Sequence, residues 1–286
     1  MEKPYDLLVI DTGSAASRVA GECRAAGWTV AVVDSRPFGG TCALRGCAPK
    51  KVVTGAAEIV DRQLRIEGKG VRAGATAIDW PDLMAFKRTF TDPVPAASEE
   101  RFLEQGIDAY HGRARFTGPL AVEVGDQALQ ARHVVIATGA RPAPLEIPGE
   151  ALLTTSDEFL ELDSLPAEIV FVGGGYISFE FAHGAARAGS KVTILHRGKR
   201  PPEGFDPDLV DMLCHRTRSL GIDLHLTTEA TAVRRKTAGF ASSPARAARS
   251  GGFRLISRCT AADGFRKSTI STSRRRASSA TNAGWR

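Results

Sequence analysis

The sequence predicts an α/β fold in which one supersecondary unit occurs twice. Three observations predict it. An apolar run of strand length at 6–10, and another at 168–172, each lead into a glycine-containing turn, a helical stretch, a glycine and a second apolar run. The spacing matches: Asp11 to Asp34 spans 23 residues, and so does Gly173 to His196. Neither first run alternates polar with apolar residues, which is the pattern of parallel strands covered on both faces.

The elements follow in order. Asp6-Leu7-Leu8-Val9-Ile10 is a strand, Asp11-Thr12-Gly13-Ser14-Ala15-Ala16 opens a helix running to about Ala26, and Thr29-Val30-Ala31-Val32-Val33 is a strand ending at Asp34. Residues 81–105 carry Leu83, Phe86, Phe90, Phe102 and Leu103, interrupted by Pro93 and Pro95, and predict one bent helix or two. Residues 107–136 contain short strands, including 121–124 and 131–136, and Pro142 to Gly149 is a proline-rich link. The second copy has the strand 168–172, the turn Gly173-Gly174-Gly175-Tyr176-Ile177-Ser178, a helix to about Ala188 and the strand 191–195, ending at His196. Together these units predict two Rossmann-like, three-layer ββα dinucleotide-binding domains.

With 286 residues, 43% hydrophobic and 24% charged, the chain falls in the globular range, enough for one large or two ordinary domains. No apolar run approaches ~18 residues, so neither a transmembrane helix nor a membrane partner is expected. Met1-Glu2-Lys3-Pro4-Tyr5-Asp6 leads straight into a strand without the marks of a signal peptide, so the expected compartment is the cytoplasm. The net charge of +6 hides an asymmetry: residues 234–286 hold thirteen Lys and Arg and one acid, Asp263, so that segment carries +12 and the body before it −6. Such a segment attracts polyanions without specificity, but it contains no recognisable module, and no specific nucleic-acid partner is expected.

Each turn has a physical task. Glycine lets the backbone approach a pyrophosphate, and the helix N-terminus supplies free N–H groups and positive potential. At the first turn Gly13, with Ser14 and Ala15, opens the helix; Asp34 can accept from ribose hydroxyls. At the second, Gly173, Gly174, Gly175 and Ile177 form the turn, and His196 and Arg197 stand in place of the acid, with Lys199 and Arg200 close behind. Cationic donors there favour a 2′-phosphate, so the second site is expected to take NADP(H).

Between the copies lies Gly39-Gly40-Thr41-Cys42-Ala43-Leu44-Arg45-Gly46-Cys47-Ala48-Pro49-Lys50-Lys51. Cys42 and Cys47 are five apart at or near a helix start, and a turn and a half of helix would bring the thiols close enough to bridge. The helix N-terminus would lower a thiol pKa. Zinc would need two further ligands that no nearby Cys or His pair supplies, so no metal site is expected. His111, His133 and His183 read as structural, and Cys23 and Cys214 as packed thiols.

This constellation resembles the class I pyridine nucleotide–disulfide oxidoreductases, the flavin-dependent group of glutathione reductase, dihydrolipoamide dehydrogenase and mercuric reductase. Val134-Val135-Ile136-Ala137-Thr138-Gly139-Ala140-Arg141-Pro142 looks like their strand and A-T-G turn, and Gly173 to Glu180 like their NADPH turn. The doubled Lys50-Lys51 is closer to glutathione reductase. The resemblance implies an electron route from NADPH through FAD to the Cys42–Cys47 disulfide and on to a small-molecule disulfide, with glutathione disulfide favoured. It implies Cys42 as the interchange thiol, Cys47 as the flavin-facing thiolate, Lys50 near the flavin and paired with Glu180, and Tyr176 over the nicotinamide pocket. Gly13, Ser14, Ala15, Asp34, Gly40, Thr41, Ala114, Thr138 and Gly139 would form the FAD site. The implied domains are 1–147 for FAD, 148–236 for an incomplete NADP(H) domain, and 237–286 as a basic Ser/Arg/Ala-rich tail expected to be disordered.

Two departures qualify that expectation. Asp11 stands where the first turn of the family has glycine, adding a Cβ at a tight turn and a carboxylate beside a pyrophosphate. From about Thr237 the hydrophobic periodicity disappears, and re-reading 253–284 one frame over, with one base per codon chosen, gives a string resembling the family's return segment. The sequence therefore reads as a frameshifted, truncated member that lacks the dimer-interface domain. The family homodimer is not expected, activity is expected to be impaired or absent, and the alternative is a non-catalytic nucleotide-binding fragment.

Overall fold

The computed structural model describes residues 4–72, 74, 76–235, 253–256 and 267–274. The chain divides into two compact units, Met1–Val53 with Pro81–Pro142, and Thr54–Trp80 with Ala143–Arg286.

The first unit is built on β1 (Tyr5–Ile10), α1 (Ser14–Ala25), β2 (Val30–Asp34), α2 (Gly40–Leu44), the start of α3 (Cys47–Ile66), α4 (Trp80–Thr91), α5 (Val94–Glu104), β3 (Asp108–His111), β4 (Ala114–Gly118), β5 (Ala121–Val124) and β6 (Gln127–Ile136). The six strands form one sheet in the order β3-β2-β1-β6-β5-β4. The first four are parallel, and β5 and β4 add antiparallel at one side.

The unbroken apolar run of β1 is explained by what covers it. Successive side chains of a strand point to opposite faces. Leu7, Val9, Val30 and Val32 pack with Ala16 and Ala20 of α1 and Phe102 of α5. Leu8, Ala31 and Val33 pack on the opposite face with Val122, Val124, Leu129 and Ala131. Helices, parallel sheet and β-meander are the three layers, and each fully buried Leu or Val contributes about 1.5–3 kcal/mol. The 81–105 segment resolves into two helices. Pro93 caps α5 and Pro95 sits in its first turn, where a missing N–H costs nothing.

The second unit takes the rest of α3, then α6 (Ser156–Phe159), β7 (Glu168–Val172), α7 (Tyr176–Arg187), β8 (Lys191–Leu195), α8 (Pro207–Ser219), β9 (Asp223–His225), β10 (Thr228–Arg235), β11 (Phe253–Ile256) and β12 (Lys267–Arg274). β7-β8-β9 is a parallel sheet, and β10-β12-β11 an antiparallel one. Phe159 stacks on Phe181 with ring centroids 4.5 Å apart, and Trp80 meets Phe159 edge-on.

These units differ from the domain boundaries read from the sequence. Residues 54–80 group with the second unit, because Asp61 pairs with Arg187 and Arg216, and Trp80 Nε1 donates to the Leu162 carbonyl at 2.7 Å. The division after Pro142 precedes the expected one after residue 147, because Ile147 packs against the Leu195–Ala230 cluster of the second unit. Within the expected disordered tail, 253–256 and 267–274 are strands. The run Ser268-Thr269-Ile270-Ser271-Thr272 supplies β-branched residues that suit a ladder, and Ile270 stands opposite Val233 of β10. The other residues of 237–286, and the expectation of disorder for them, lie outside the described residues. None of the described helices is long and apolar enough to cross a membrane.

Candidate functional site

The first turn is held by hydrogen bonds of Thr12 to Asp34 and Gly39. Thr12 is 1% exposed. Its N–H and Oγ1 donate to Asp34 Oδ2 at 3.1 and 2.6 Å, and its Oγ1 accepts from the Gly39 N–H at 3.1 Å. Asp34 Oδ1 accepts from the Arg36 N–H at 2.9 Å. One hydroxyl and one carboxylate thus join the ends of β1 and β2 to the loop that leads into the cysteines. The Asp34 carboxylate, read from sequence as a ribose acceptor, is buried at 6% exposure and turned toward these donors.

Gly40 completes the link. Its φ is 68°, and a Cβ there would lie 2.3 Å from Gly13 Cα. Only glycine permits that approach, which sets the dithiol loop against the first turn. Ser14 and Ala15 are exposed on the first turn of α1, a helix whose N-terminus receives no side-chain cap. Thr41 is exposed in α2, Ala114 opens β4, and exposed Thr138 and Gly139 follow β6, with Gly139 at φ 65°. The glycine-only contact and the helix end without a side chain of its own cap residue bonded to it suit a dinucleotide phosphate, with the Asp11 carboxylate held on the Gly13 N–H at its edge.

Cys42 and Cys47 lie on two helices, where the sequence reading placed them on one. The chain breaks at Arg45-Gly46, Cys42 lies in α2, and Cys47 is the first residue of α3. A Cβ on Gly46 would stand 3.0 Å from the Thr41 carbonyl oxygen, so a side chain there would crowd the break. Pro49 falls in the first turn of α3, where its missing N–H is tolerated. The geometry brings the sulfurs together: they are hydrogen-bonded, and the Cys47 N–H also donates to Cys42 Sγ. Both residues are exposed.

The expected lowering of a thiol pKa is corrected for Cys42. Its hydrogen bond to Cys47, burial and the charge of Cys47 push it above the usual thiol value. The Cys47 N–H and the Lys51 ammonium work in the other direction and are outweighed. The sulfur partner in contact sets the direction of the shift.

The second turn repeats the first in outline. Gly173 has φ 102°, Gly175 caps α7, and a Cβ on Gly174 would stand 2.5 Å from Pro201 Cβ. The Gly174 N–H donates to His196 Nδ1 at 3.2 Å. His196 is 8% exposed, with Nε2 3.5 Å from Glu203 Oε1. Burial pulls its pKa below the usual imidazole value, against the opposing pull of Glu203. His196 therefore supports the turn as a neutral acceptor and does not project as a cation. Arg197 and Lys199 are exposed, whereas Arg200 makes a two-pronged pair with Asp211 at 3.1 Å on each arm. Tyr176 and Ile177 are exposed on the first turn of α7, and Glu180 is half-buried one turn on. Lys50 is half-buried on α3 in the first unit, and Glu180 belongs to the second.

The remaining candidates are structural. His111 pairs with Glu99 at 2.9 Å, His133 stacks on Trp28, and His183 bonds Thr217 at 2.9 Å. Cys214 is buried with its Sγ 3.5 Å from the Pro201 carbonyl oxygen, and Cys23 is half-buried. Among the described residues no group of three His, Cys, Asp or Glu could hold a metal ion. Sequence reading missed the Thr12–Gly39 link. The signal was there: Thr12 and Asp34 follow or end adjacent parallel strands, so their side chains meet at one sheet edge.

The family described as pyridine nucleotide-disulphide oxidoreductase matches residues 5–270. This chain belongs to that family. The glutathione reductase of Burkholderia cepacia is 35% identical over 232 residues, covering 81% of this chain and 52% of that protein. The mercuric reductase of Streptomyces lividans is 33% identical over 244 residues, covering 82% and 51%. Among solved structures, the HOCl-induced flavoprotein disulfide reductase RclA from Escherichia coli has a TM-score of 0.69 at 27% identity, over 80% of this chain and 50% of that one. The chain spans about half the length of the curated relatives it matches. The family match runs past Lys236, into the segment that the sequence reading assigned to a frameshifted tail.

Proposed function

We propose that this chain carries the nucleotide-binding and dithiol parts of a glutathione reductase-like NADPH:disulfide oxidoreductase, acting on a small-molecule disulfide. The observation that carries the reading is the hydrogen-bonded Cys42–Cys47 sulfur pair on a loop packed through Gly40 against the Gly13 turn. The family and its named relatives support glutathione disulfide as the favoured substrate. The exposed Arg197 and Lys199 at the end of β8 support NADPH over NADH, because they can pair with a 2′-phosphate. FAD when bound, on Gly13, Ser14, Ala15, Thr41 and the 138–139 turn, supplies two-electron transfer from the nicotinamide to the Cys42–Cys47 disulfide.

The chain's own sulfurs do the rest. The Cys42 thiolate attacks one sulfur of the substrate disulfide, forming a mixed disulfide and releasing the other sulfur as a thiolate that takes up a proton. The Cys47 thiolate then attacks Cys42 Sγ, closing the Cys42–Cys47 disulfide and releasing the second thiol. Two electrons leave the dithiol and two substrate thiols form. Because Cys42 loses its proton less readily beside Cys47, that proton must be removed before or during the attack. For the isolated polypeptide the proposal is nucleotide binding and dithiol exchange.

The test is an anaerobic titration of the purified chain, first oxidised so that the Cys42–Cys47 disulfide is closed, with excess FAD present, following the flavin spectrum and the count of reactive thiols. NADPH is expected to bleach the flavin band and expose two additional thiols, with NADH less effective. An unchanged thiol count, or loss of the response only when Cys23 or Cys214 is substituted, would refute the reading.

A further inference from the structure

The chain contains its own control for the first turn. Asp11 has φ 95° and Gly173, at the corresponding place in the second turn, has φ 102°. The helix caps that follow also agree: Gly13 at φ −69°, ψ −173° and Gly175 at φ −76°, ψ 166°. The two turns therefore match at these positions, and one holds glycine where the other holds an aspartate in a conformation that suits glycine.

The aspartate has found a partner. Asp11 Oδ1 accepts from the Gly13 N–H at 2.6 Å, a short charge-assisted bond at the start of α1. A Cβ on Gly13 would lie 3.1 Å from that oxygen, so the carboxylate sits directly over the cap residue. α1 has no acidic residue in its first turn and no side-chain cap, so Asp11 places a negative charge at the positive end of its dipole. At the second turn nothing lies within 4 Å of a Cβ built on Gly173.

We infer that Asp11 is an intramolecular competitor for the dinucleotide pyrophosphate. Its carboxylate takes up an N–H of the phosphate cradle and opposes a second anion there, so the first unit binds FAD weakly and exchanges it. The inference rests on the flavin reading above and extends it: FAD occupancy becomes a matter of free FAD concentration, and residue 11 sets the threshold.

The test is direct titration of the full chain with FAD, read by flavin fluorescence, for the unsubstituted chain, Asp11→Asn and Asp11→Gly. Asp11→Asn keeps the side-chain acceptor and removes the charge, and Asp11→Gly also removes the conformational strain. Both are expected to bind FAD about tenfold or more tightly than the parent, with NADPH affinity, measured separately by quenching of protein fluorescence, unchanged. Equal FAD affinity in all three overturns the inference and leaves the flavin reading standing. A gain in Asp11→Gly alone also overturns it, because strain and not charge would then control affinity. If none of the three binds FAD while NADPH still binds, the flavin reading itself falls, and the inference with it.

Discussion

Replacing Asp61 by asparagine tests how the end of α3 is held in the second unit. Asp61 Oδ1 accepts from Arg187 at 2.5 Å and from Arg216, and Oδ2 pairs with Arg65 at 2.8 Å. The Asp61 side chain is 14% exposed and Arg187 9%, whereas Arg216 is 37% and Arg65 62%. The Arg65 arm is worth about 0.3–0.5 kcal/mol, as for any solvated i,i+4 pair. Stranding a fully buried partner costs about 3–5 kcal/mol, but solvent reaches Arg216, so about 2–3 kcal/mol is the expected loss. With a urea slope of about 2 kcal/mol/M, the unfolding midpoint of the second unit should fall by about 1 M. The pair term is isolated by a cycle with Arg187→Met: if Asp61→Asn leaves Arg187 uncompensated, the double variant is more stable than the sum of the singles predicts. The pH dependence has a definite sign. Burial alone would raise the Asp61 pKa, but Arg187 and Arg216 outweigh it and hold the carboxyl below its usual value. Its contribution is therefore complete above about pH 4 and lost as the pH falls through the lower folded value, and Asp61→Asn should remove that part of the acid slope. A midpoint shift under about 0.25 M, or strict additivity in the cycle, would show that the cluster is solvent-screened and does not fix α3.

Further outcomes follow from the same geometry. His183 is held down to about 4 by burial and by the charges of Arg187 and Arg216, so stability should decline as the pH falls from about 6.5 toward 4, and His183→Gln should flatten that decline in a pH series of thermal melts. Gly40→Ala should cost about 3 kcal/mol or more because its Cβ meets Gly13 backbone, whereas Gly125→Ala, at φ 58° with open space around it, should cost only about 1 kcal/mol; comparable losses would refute the Gly40–Gly13 contact. Cys47→Ala removes the partner that raises Cys42, so alkylation of Cys42 by iodoacetamide should reach half-maximal rate at a lower pH than in the parent. An unchanged profile would mean that the sulfurs do not interact in solution.

What the sequence determined was local. Runs such as Leu7-Leu8-Val9 and Ile169-Val170-Phe171, with glycines at matched intervals, are enough to specify strand, turn and helix, because each depends on side-chain periodicity and on backbone freedom at single residues. The paired cysteines were legible for the same reason, since their spacing and flanking glycines are written in one stretch of chain. What only the tertiary structure decided depends on residues far apart in sequence. The inward turn of Asp34 and His196, and the capture of α3 by Asp61, are each settled by a partner supplied from another segment. Thr12 chooses between solvent and Asp34, and His196 between a phosphate and the Gly174 N–H, according to the hydrogen bond that remains when water is removed. That choice is made by packing, and a one-dimensional pattern does not record it.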